Sequence, residues 1–345
     1  MTRPTIRETD QSMQKRFLVA ALLILMAASV AGSVWFYNAL WGWRSSAKVE
    51  IEIDEGSSTR QILRLLEREG VAGSTLASRL YLRGWGQGRR LHYGRYVFDA
   101  GMRPVDVLET VLDGRVKMFS VTIVEGSDSE TISELFVSLG VGSADEWRVL
   151  IGRVDWIAAI APEAPSLEGF LFPDTYLFAV GISAENAAEN LVSQFLYVFS
   201  NEPVDDAEPW GSVLEIVTLA SLVEAETSID SERALVAGVY LNRLRRGMLL
   251  QCDPTVVYAL KRRNEWSGRL YRIHWEVDDP YNTYRNPGLP PGPINSPGRA
   301  ALAAALHPES TPYLYFVAKP GGGHQFSRTL SEHNRAVVRW RKARH

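Results

Sequence analysis

The longest apolar segment of the chain lies near its N-terminus, where residues 17–37 contain no charged side chain. At about 1.5 Å per residue, about 20 helical residues cross the hydrocarbon core of a bilayer. Lys15 and Arg16 precede the segment. Trp35 and Tyr37 lie at its far end, and aromatic rings favour the membrane interface. The pattern predicts a single transmembrane helix over residues 17–37.

The charges around this segment predict its orientation. Positive residues precede it, so we expect a cytoplasmic tail of residues 1–16 and, after the span, a linker of residues 38–47. Arg44 and Lys48 weaken this asymmetry a little. The alternative is a cleaved signal peptide, but the apolar run is longer than a usual signal core and no small-residue cleavage site follows it. The helix is therefore expected to anchor the protein in the cytoplasmic (inner) membrane. The rest of the chain is expected on the outer side of that membrane, outside the cytoplasm.

A strand–turn–helix pattern occurs twice after the span. Apolar residues alternate over residues 49–53, a Glu-Gly turn follows, and Ser57 or Ser58 caps a helix. Residues 119–132 repeat this order of strand, Glu-Gly turn, polar cap and helix. The pattern indicates repeated small α+β units.

Between the two copies, residues 94–98 are predicted to form a strand and residues 104–112 a helix that begins at a proline. Units of this kind resemble the LysM modules of cell-wall proteins, so residues 48–117 are predicted to form a LysM-like module. A purely structural α+β module is the alternative, because the repeat contains no motif for metal or phosphate.

Residues 166–178 are rich in aromatic side chains, with glycine and proline between them. Flat aromatic faces beside Glu168 and Asp174 would suit a sugar-binding groove. Equally, the segment could pack into the core of the domain. The sequence leaves both interpretations open.

The segment 214–227 predicts a mostly buried helix, because its apolar residues occupy more than one helical face. Two carboxylates, Glu224 and Glu226, lie at its end. They are about 200° apart around the helix and cannot share one site. A carboxylate on a buried helix is costly unless it is paired or used. One of the two is therefore a candidate catalytic acid.

Further elements are predicted towards the C-terminus. A helix should end near Gly247, and Asp253 with Pro254 fits the start of another. The irregular segment 281–298 is rich in Pro, Gly, Tyr and Asn, and such a loop inside a compact domain is usually functional. A strand over residues 313–317 and a glycine-rich turn follow before a final helix. Together the elements predict an α+β fold.

The composition and the absence of certain motifs exclude several classes of site and partner. The net charge of −3 gives no basic field, which argues against nucleic acid as the main partner. The single cysteine, Cys252, excludes an intramolecular disulfide and a cysteine-based zinc site. The six histidines form no metal-binding motif, and no nucleophile elbow is present. A protonated carboxyl facing a polar aromatic loop suits cleavage of a glycosidic bond, and one acid suffices if the sugar's own hydroxyl attacks.

Several motifs together resemble the YceG-like family of MltG-type endolytic murein transglycosylases, over nearly the whole chain. They lie at residues 223–227, 242–244, 251–256, 281–284, 288–294 and 324–326. One departure is Cys252, where a small hydroxyl residue is expected. The resemblance implies a YceG-like catalytic domain of residues 118–345, with a lysozyme-like helical active-site core at about 210–345.

The resemblance also implies an activity. The enzyme would cut the β-1,4 bond between N-acetylmuramic acid and N-acetylglucosamine in nascent peptidoglycan, leave 1,6-anhydro ends and so terminate strand elongation. It would need no cofactor or metal, and peptidoglycan synthases would be its partners. Glu226, followed by Thr227, matches the catalytic acid. The expected substrate-binding residues are Glu224, Gln251, Asp253, Thr255, Tyr281, Asn282, Tyr284 and Ser296.

Three alternatives stay open at this point. A non-catalytic wall-binding or division-scaffold protein would use the same anchor and module without an acid. A hydrolase would release reducing ends instead of anhydro ends. Each substrate-binding candidate, Asp253 in particular, could also serve only as a helix cap or loop scaffold.

Overall fold

The computed structural model describes residues 6–86, 88–203 and 210–343. The first five residues of the predicted cytoplasmic tail lie outside this range. The chain divides into two compact units, one of Met1–Phe119 with Ala179–Gly181, the other of Ser120–Phe178 with Ile182–His345. This division falls two residues from the predicted domain boundary at 117/118.

The N-terminal helix α1 spans Ile6–Tyr37. Within the described residues, the stretch Met13–Gly42, which includes most of α1 and the turn after it, is long and apolar enough to cross a membrane. Its mean hydropathy is 2.4. Residues Asn38–Gly42, predicted as the start of a linker, instead continue the helix as a π-turn. Leu40 in this turn is fully buried in the core of the first unit, and its burial explains why the segment is structured.

The first unit contains both predicted strands and both predicted helices. After α1 its elements are β1 (Val49–Ile53), α2 (Thr59–Arg68), α3 (Thr75–Trp85), β2 (Gly94–Phe98) and α4 (Pro104–Leu112). β1 and β2 pair antiparallel, with Ile51 opposite Tyr96. Ser58, not Ser57, caps α2 through a capping box. The sequence analysis did not predict α3, and the LysM-like assignment stays a prediction.

The following elements complete the fold. In chain order they are β3 (Met118–Thr122), α5 (Ser129–Ser138), α6 (Ala144–Ile151), β4 (Thr175–Ala179), α7 (Ala184–Ser200), α8 (Val213–Glu226), α9 (Asp230–Arg245), α10 (Asp253–Arg262), α11 (Arg299–Leu306), β5 (Tyr315–Ala318), β6 (His324–Ser327) and α12 (Leu330–Ala343). β3 pairs with β4, and β5 pairs antiparallel with β6. The order confirms the predicted α+β class.

Helix α8 lies at the centre of the second unit and packs against α9, α10 and α11. The β5–β6 hairpin pairs Phe316 with Phe326 and packs against α12. The predicted apolar helix 214–227 is thus confirmed to within one residue at each end. The lysozyme-like character of this helical core stays a prediction.

The aromatic segment 166–178 contributes largely to the core. Phe170 is fully buried and meets the ring of Phe195 edge-on at 4.9 Å between centroids. Gly169 has a φ of +85°, and a Cβ there would lie 2.5 Å from Pro293. Only glycine therefore fits this close approach. Burial supports the core-packing interpretation of this segment over a sugar-binding groove.

Candidate active site

Glu226 is the last residue of α8, which ends where Thr227 turns into extended backbone at φ −147°. Residues 216–223 of this helix are all buried, so packing holds the helix in place up to its last turn. The negative end of the helix dipole falls on the last turn and disfavours an ionised carboxylate there. Sequence and packing together place a carboxyl where it tends to keep its proton.

The contacts of Glu226 come from α9 and from the residue before α10. The Tyr240 hydroxyl donates a 2.9 Å hydrogen bond to Glu226 Oε1, and the Cys252 thiol is also hydrogen-bonded to it. Burial raises the pKa of Glu226, and the nearby Asp253 carboxylate raises it further. The hydrogen bonds and the His324 ring oppose this rise only in part. The carboxyl therefore suits a general acid at neutral pH.

Cys252 stands where the family resemblance predicts a small hydroxyl residue. Its side chain is buried and contacts both Glu226 and Tyr240. Burial, followed by the Glu226 charge, raises the pKa of the thiol well above its usual value. The residue therefore stays a neutral thiol, and its S–H can act as a weak donor in place of a hydroxyl.

Glu226 opens on a pocket of about 380 Å³. Three of the predicted substrate-binding residues, Gln251, Asp253 and Tyr284, line the same pocket. The walls are completed by Tyr240, Arg243, Leu250, Phe316, Val317, Ala318, His324 and His333. Hydroxyl, amide, carboxylate, imidazole and guanidinium groups thus converge on the acid, beside aromatic and aliphatic surface.

Gln251 reaches the pocket through an unusual backbone. Its φ of 51° is in the left-handed region, which costs a non-glycine residue about 1 kcal/mol or more. The surroundings hold this conformation. Gln251 N donates to the Thr283 carbonyl at 3.1 Å, and the Arg243 guanidinium donates to the neighbouring Leu250 carbonyl at 2.8 Å. Strain of this kind concentrates at functional sites.

Asp253 is held by two donors on one oxygen. Its Oδ1 accepts hydrogen bonds from the Tyr284 hydroxyl at 2.6 Å and from Trp275 Nε1 at 3.1 Å. The two rings stack at 5.1 Å. Helix α10 begins at Asp253 itself, and Cys252 occupies the cap position. The side chain of Asp253 is therefore part of the pocket wall and not the helix cap that its sequence also suggested.

Four other predicted substrate-binding residues are buried and do not line this pocket: Thr255, Tyr281, Asn282 and Ser296. Thr255 Oγ1 bonds the Thr283 hydroxyl at 2.9 Å, and Asn282 Nδ2 donates to the Val277 carbonyl at 2.7 Å. These bonds build the loop that carries Tyr284. Direct contact of the four residues with substrate stays a prediction.

Glu224 does not line the Glu226 pocket. It forms a buried ion pair with Arg233 of α9, at 2.8 Å, and accepts a hydrogen bond from Gly298 N at 3.1 Å. Its side chain is 7% exposed, so it does not simply meet solvent. The structure thus distinguishes the two carboxylates: one is paired, and the other faces a cavity.

A third buried carboxyl, Glu168, supports the scaffold. It accepts hydrogen bonds from Ser129 N at the start of α5, from the Ser129 hydroxyl at 2.7 Å and from the Tyr258 hydroxyl at 3.1 Å. Burial, which outweighs these bonds, raises the pKa of Glu168 to about 7. Its role is to tie the aromatic segment to α5 and α10.

Replacing Glu168 with glutamine is expected to flatten the pH dependence of unfolding. Because the pKa of Glu168 is higher in the folded state than its usual 4.5, its protonation favours folding. The contribution of Glu168 to stability should be greatest below pH 4.5 and fall by about 3 kcal/mol as the pH rises through 7, at about 1.4 kcal/mol per unit. Melting temperatures between pH 4.5 and 8 test this. Exposed Glu189→Gln should keep the wild-type slope, and an equal slope in Glu168→Gln would refute the assignment.

A second cavity, of about 420 Å³, adjoins the first at Asp253. Ala225, which separates the two carboxylates of α8, also lines it, together with Tyr258 and Lys261. The two cavities thus lie next to each other, with Asp253 on the wall of both.

Several pocket residues escaped the sequence analysis as site residues. Arg243 and His324 lie in motifs of the family resemblance, which was the available signal for them. Tyr240 and His333 sit on predicted helices with no local pattern to mark them. Within the described ranges, no group of three or more His, Cys, Asp or Glu side chains is arranged to hold a metal ion.

Comparison with known proteins places the chain in a family. Residues 51–339 match the model of the YceG-like family. The chain is 31% identical to the endolytic murein transglycosylase of Bacillus subtilis, over 86% of each sequence. It is 26% identical to the protein of the same name from Streptococcus pneumoniae serotype 2, over 94% of this chain. It spans 65% of the length of that pneumococcal relative.

A solved structure agrees with these matches. The fold is similar to the crystal structure of a yceG-like protein from Listeria monocytogenes, with a TM-score of 0.56 and 31% identity. The similarity covers 84% of this chain and 99% of the other. The family match, the relatives and the fold agree with the motifs around the Glu226 pocket, and the chain belongs to the YceG-like family.

Proposed function

We propose that this protein is a membrane-anchored endolytic transglycosylase of peptidoglycan, with Glu226 as its acid. The observation that carries the proposal is a carboxyl whose pKa is raised by burial and which faces a cavity of sugar-sized dimensions. The names of the relatives from Bacillus and Streptococcus support the reaction class. The apolar helix α1 serves as the anchor, with its N-terminus in the cytoplasm and the catalytic unit outside.

The finer reaction follows from one protonated carboxyl. Glu226 donates its proton to the oxygen that links N-acetylmuramic acid to N-acetylglucosamine, and the bond from this oxygen to C1 of the muramic acid breaks. The muramoyl 6-hydroxyl then closes onto C1 and gives up its proton to a base, for which the Glu226 carboxylate left by the first step suffices. This gives a 1,6-anhydro end, so no synthase can extend the strand from that end. The polar groups of the pocket hold the sugar ring while water is kept out.

A hydrolase is the second candidate, because Asp253 is a second carboxylate on the same pocket. A glycosidase could use it as nucleophile or base. Two hydrogen bonds already occupy one oxygen of this carboxylate, which favours a positioning role. The products distinguish the two reactions, since a hydrolase adds one water to the new end and a transglycosylase does not.

The test is mass spectrometry of the products that the full-length protein releases from uncrosslinked glycan strands in detergent. We expect new ends with the mass of 1,6-anhydro-N-acetylmuramic acid and fragments from within the strand. Reducing ends, one water heavier, would support the hydrolase. Binding of strands without cleavage would indicate a non-catalytic wall-binding protein and would refute both reactions.

A further inference from the structure

His324, on the wall of the Glu226 pocket, belongs to a carboxylate–imidazole pair for which the mechanism above has no use. Glu232, in the first turn of α9, places Oε2 at 2.7 Å from His324 Nδ1 at the start of β6. Its other oxygen, Oε1, accepts a hydrogen bond from His324 N at 3.0 Å. Both side chains are only 14% exposed. One carboxylate thus fixes both the backbone and the ring of His324.

The glycine run before His324 makes this arrangement possible. Gly323 has a φ of +71°, and a Cβ at this position would lie 2.4 Å from Glu232 Oε1. Gly323 is therefore required both for the turn and for the approach of the carboxylate. The run has no phosphate-binding motif, so its role in orienting His324 explains a sequence feature that the proposed function left unused.

The pairing determines which ring nitrogen is available. Because Nδ1 faces a carboxylate, it carries the proton, and the neutral ring presents the lone pair of Nε2. Among the residues that the structure describes, none hydrogen-bonds this Nε2. Phe316 meets the ring edge-on at 5.3 Å and limits its rotation. The ring lines the same pocket as Glu226.

We propose that His324, oriented by Glu232, is a second catalytic residue, the base that removes the proton from the attacking sugar hydroxyl. This inference rests on the proposed function, because it assigns the second half of that reaction to a separate group. A carboxylate that orients a histidine and stabilises its charged form is a known way to build such a base.

The step balances without any co-reactant. Glu226 gives its proton to the leaving-group oxygen, and the C1–O bond breaks. The muramoyl O6 bonds to C1 while its proton passes to His324 Nε2. Glu226 ends as a carboxylate and His324 as an imidazolium beside Glu232. Transfer of one proton from His324 to Glu226, directly or through water, restores the starting state.

Two other groups on the pocket suit this role less well. Asp253 already accepts two hydrogen bonds on Oδ1. The Nδ1 atom of His333 is buried without a partner, and its ring stacks on Tyr315 at 5.3 Å. No carboxylate orients His333 among the described residues. The charged and titratable groups around His324 are Glu226, Glu232, Tyr240, Arg243, Asp253, Tyr284, Lys319 and His333.

The pH profile of the full-length enzyme tests the proposal. If Glu226 acted alone, first as acid and then as base, kcat/KM would only fall as the pH rises. With His324 as base, the wild-type profile should be bell-shaped, because the base must be neutral and Glu226 protonated. His324→Gln should lower kcat/KM by about 100-fold and abolish the ascending limb. The measurement to compare is whether the ascending limb is present. Its midpoint is not assigned to one residue, because coupled groups titrate together.

Two further variants distinguish the loss of His324 orientation from a general loss of structure. Glu232→Gln should lower kcat/KM by about 10-fold and move the ascending limb to lower pH, because a carboxylate no longer stabilises the imidazolium. His307→Gln, an exposed histidine at the end of α11, should match wild type. An ascending limb that persists in folded His324→Gln, or that is absent from active wild type, would overturn the inference alone. Wild type that produces no anhydro ends would instead refute the proposed function.

Discussion

Glu226→Gln is expected to lower kcat for strand cleavage by about 1,000-fold while the protein still binds glycan. Glutamine has the shape of glutamic acid, and its amide oxygen can still accept the hydrogen bond from Tyr240. It has no proton to give to the leaving oxygen, and general acid catalysis contributes about 100- to 10,000-fold. The release of anhydro-ended fragments, measured by mass spectrometry with time, gives the rate.

Two controls make this prediction specific. Glu189→Gln changes an exposed glutamate on α7 and should leave the rate unchanged. The melting temperature of Glu226→Gln should equal or exceed that of wild type, because the substitution removes a carboxyl whose ionised form burial disfavours. Full activity of a folded Glu226→Gln protein would remove Glu226 from the mechanism.

Arg233→Met is expected to cost about 3–5 kcal/mol of unfolding free energy, the largest effect on stability that we predict. Arg233 is 5% exposed and forms its closest ion pair with Glu224. Its removal leaves the Glu224 carboxylate buried, unpaired and near Glu125, a second negative charge. Breaking one side of a buried pair costs far more than an exposed pair contributes.

A double-mutant cycle measures this coupling. Glu224→Gln in the Arg233→Met background should recover much of the loss, because no buried charge then lacks a partner. Arg148→Met is the matched control, since its ion pair with Asp145 is exposed, and its cost should stay below about 1 kcal/mol. Denaturant unfolding of wild type, the two single variants, the double variant and Arg148→Met gives the values. A loss in Arg233→Met no larger than in Arg148→Met would show that the pair contributes little.

Local rules were sufficient for much of the secondary structure. Pro104 and the apolar spacing after it correctly predicted the bounds of α4. Ser58, one of the two predicted caps, does cap α2. Neither α3 nor α6 was predicted, although Ser74 and Ser143 cap them, because a capping serine without a clear apolar pattern does not by itself mark a helix.

The sequence by itself determined that α8 is buried, that it ends in two carboxylates and that a polar aromatic loop follows. These are local facts, since a helix with apolar residues on all faces must be enclosed. Its motifs also predicted the family, and the family resemblance favours Glu226 over Glu224 as the acid.

Only the tertiary structure decided which partners each carboxylate has. Arg233, nine residues after Glu224, neutralises it, while Tyr240 and Cys252 surround Glu226. Those partners lie on other elements, and neither spacing nor composition says which side chains will meet. The same holds for His324, which reaches the pocket through a glycine turn almost 100 residues beyond the acid. Glu224 and Glu226 are two residues apart in the sequence, but their surroundings differ because their partners come from different parts of the fold.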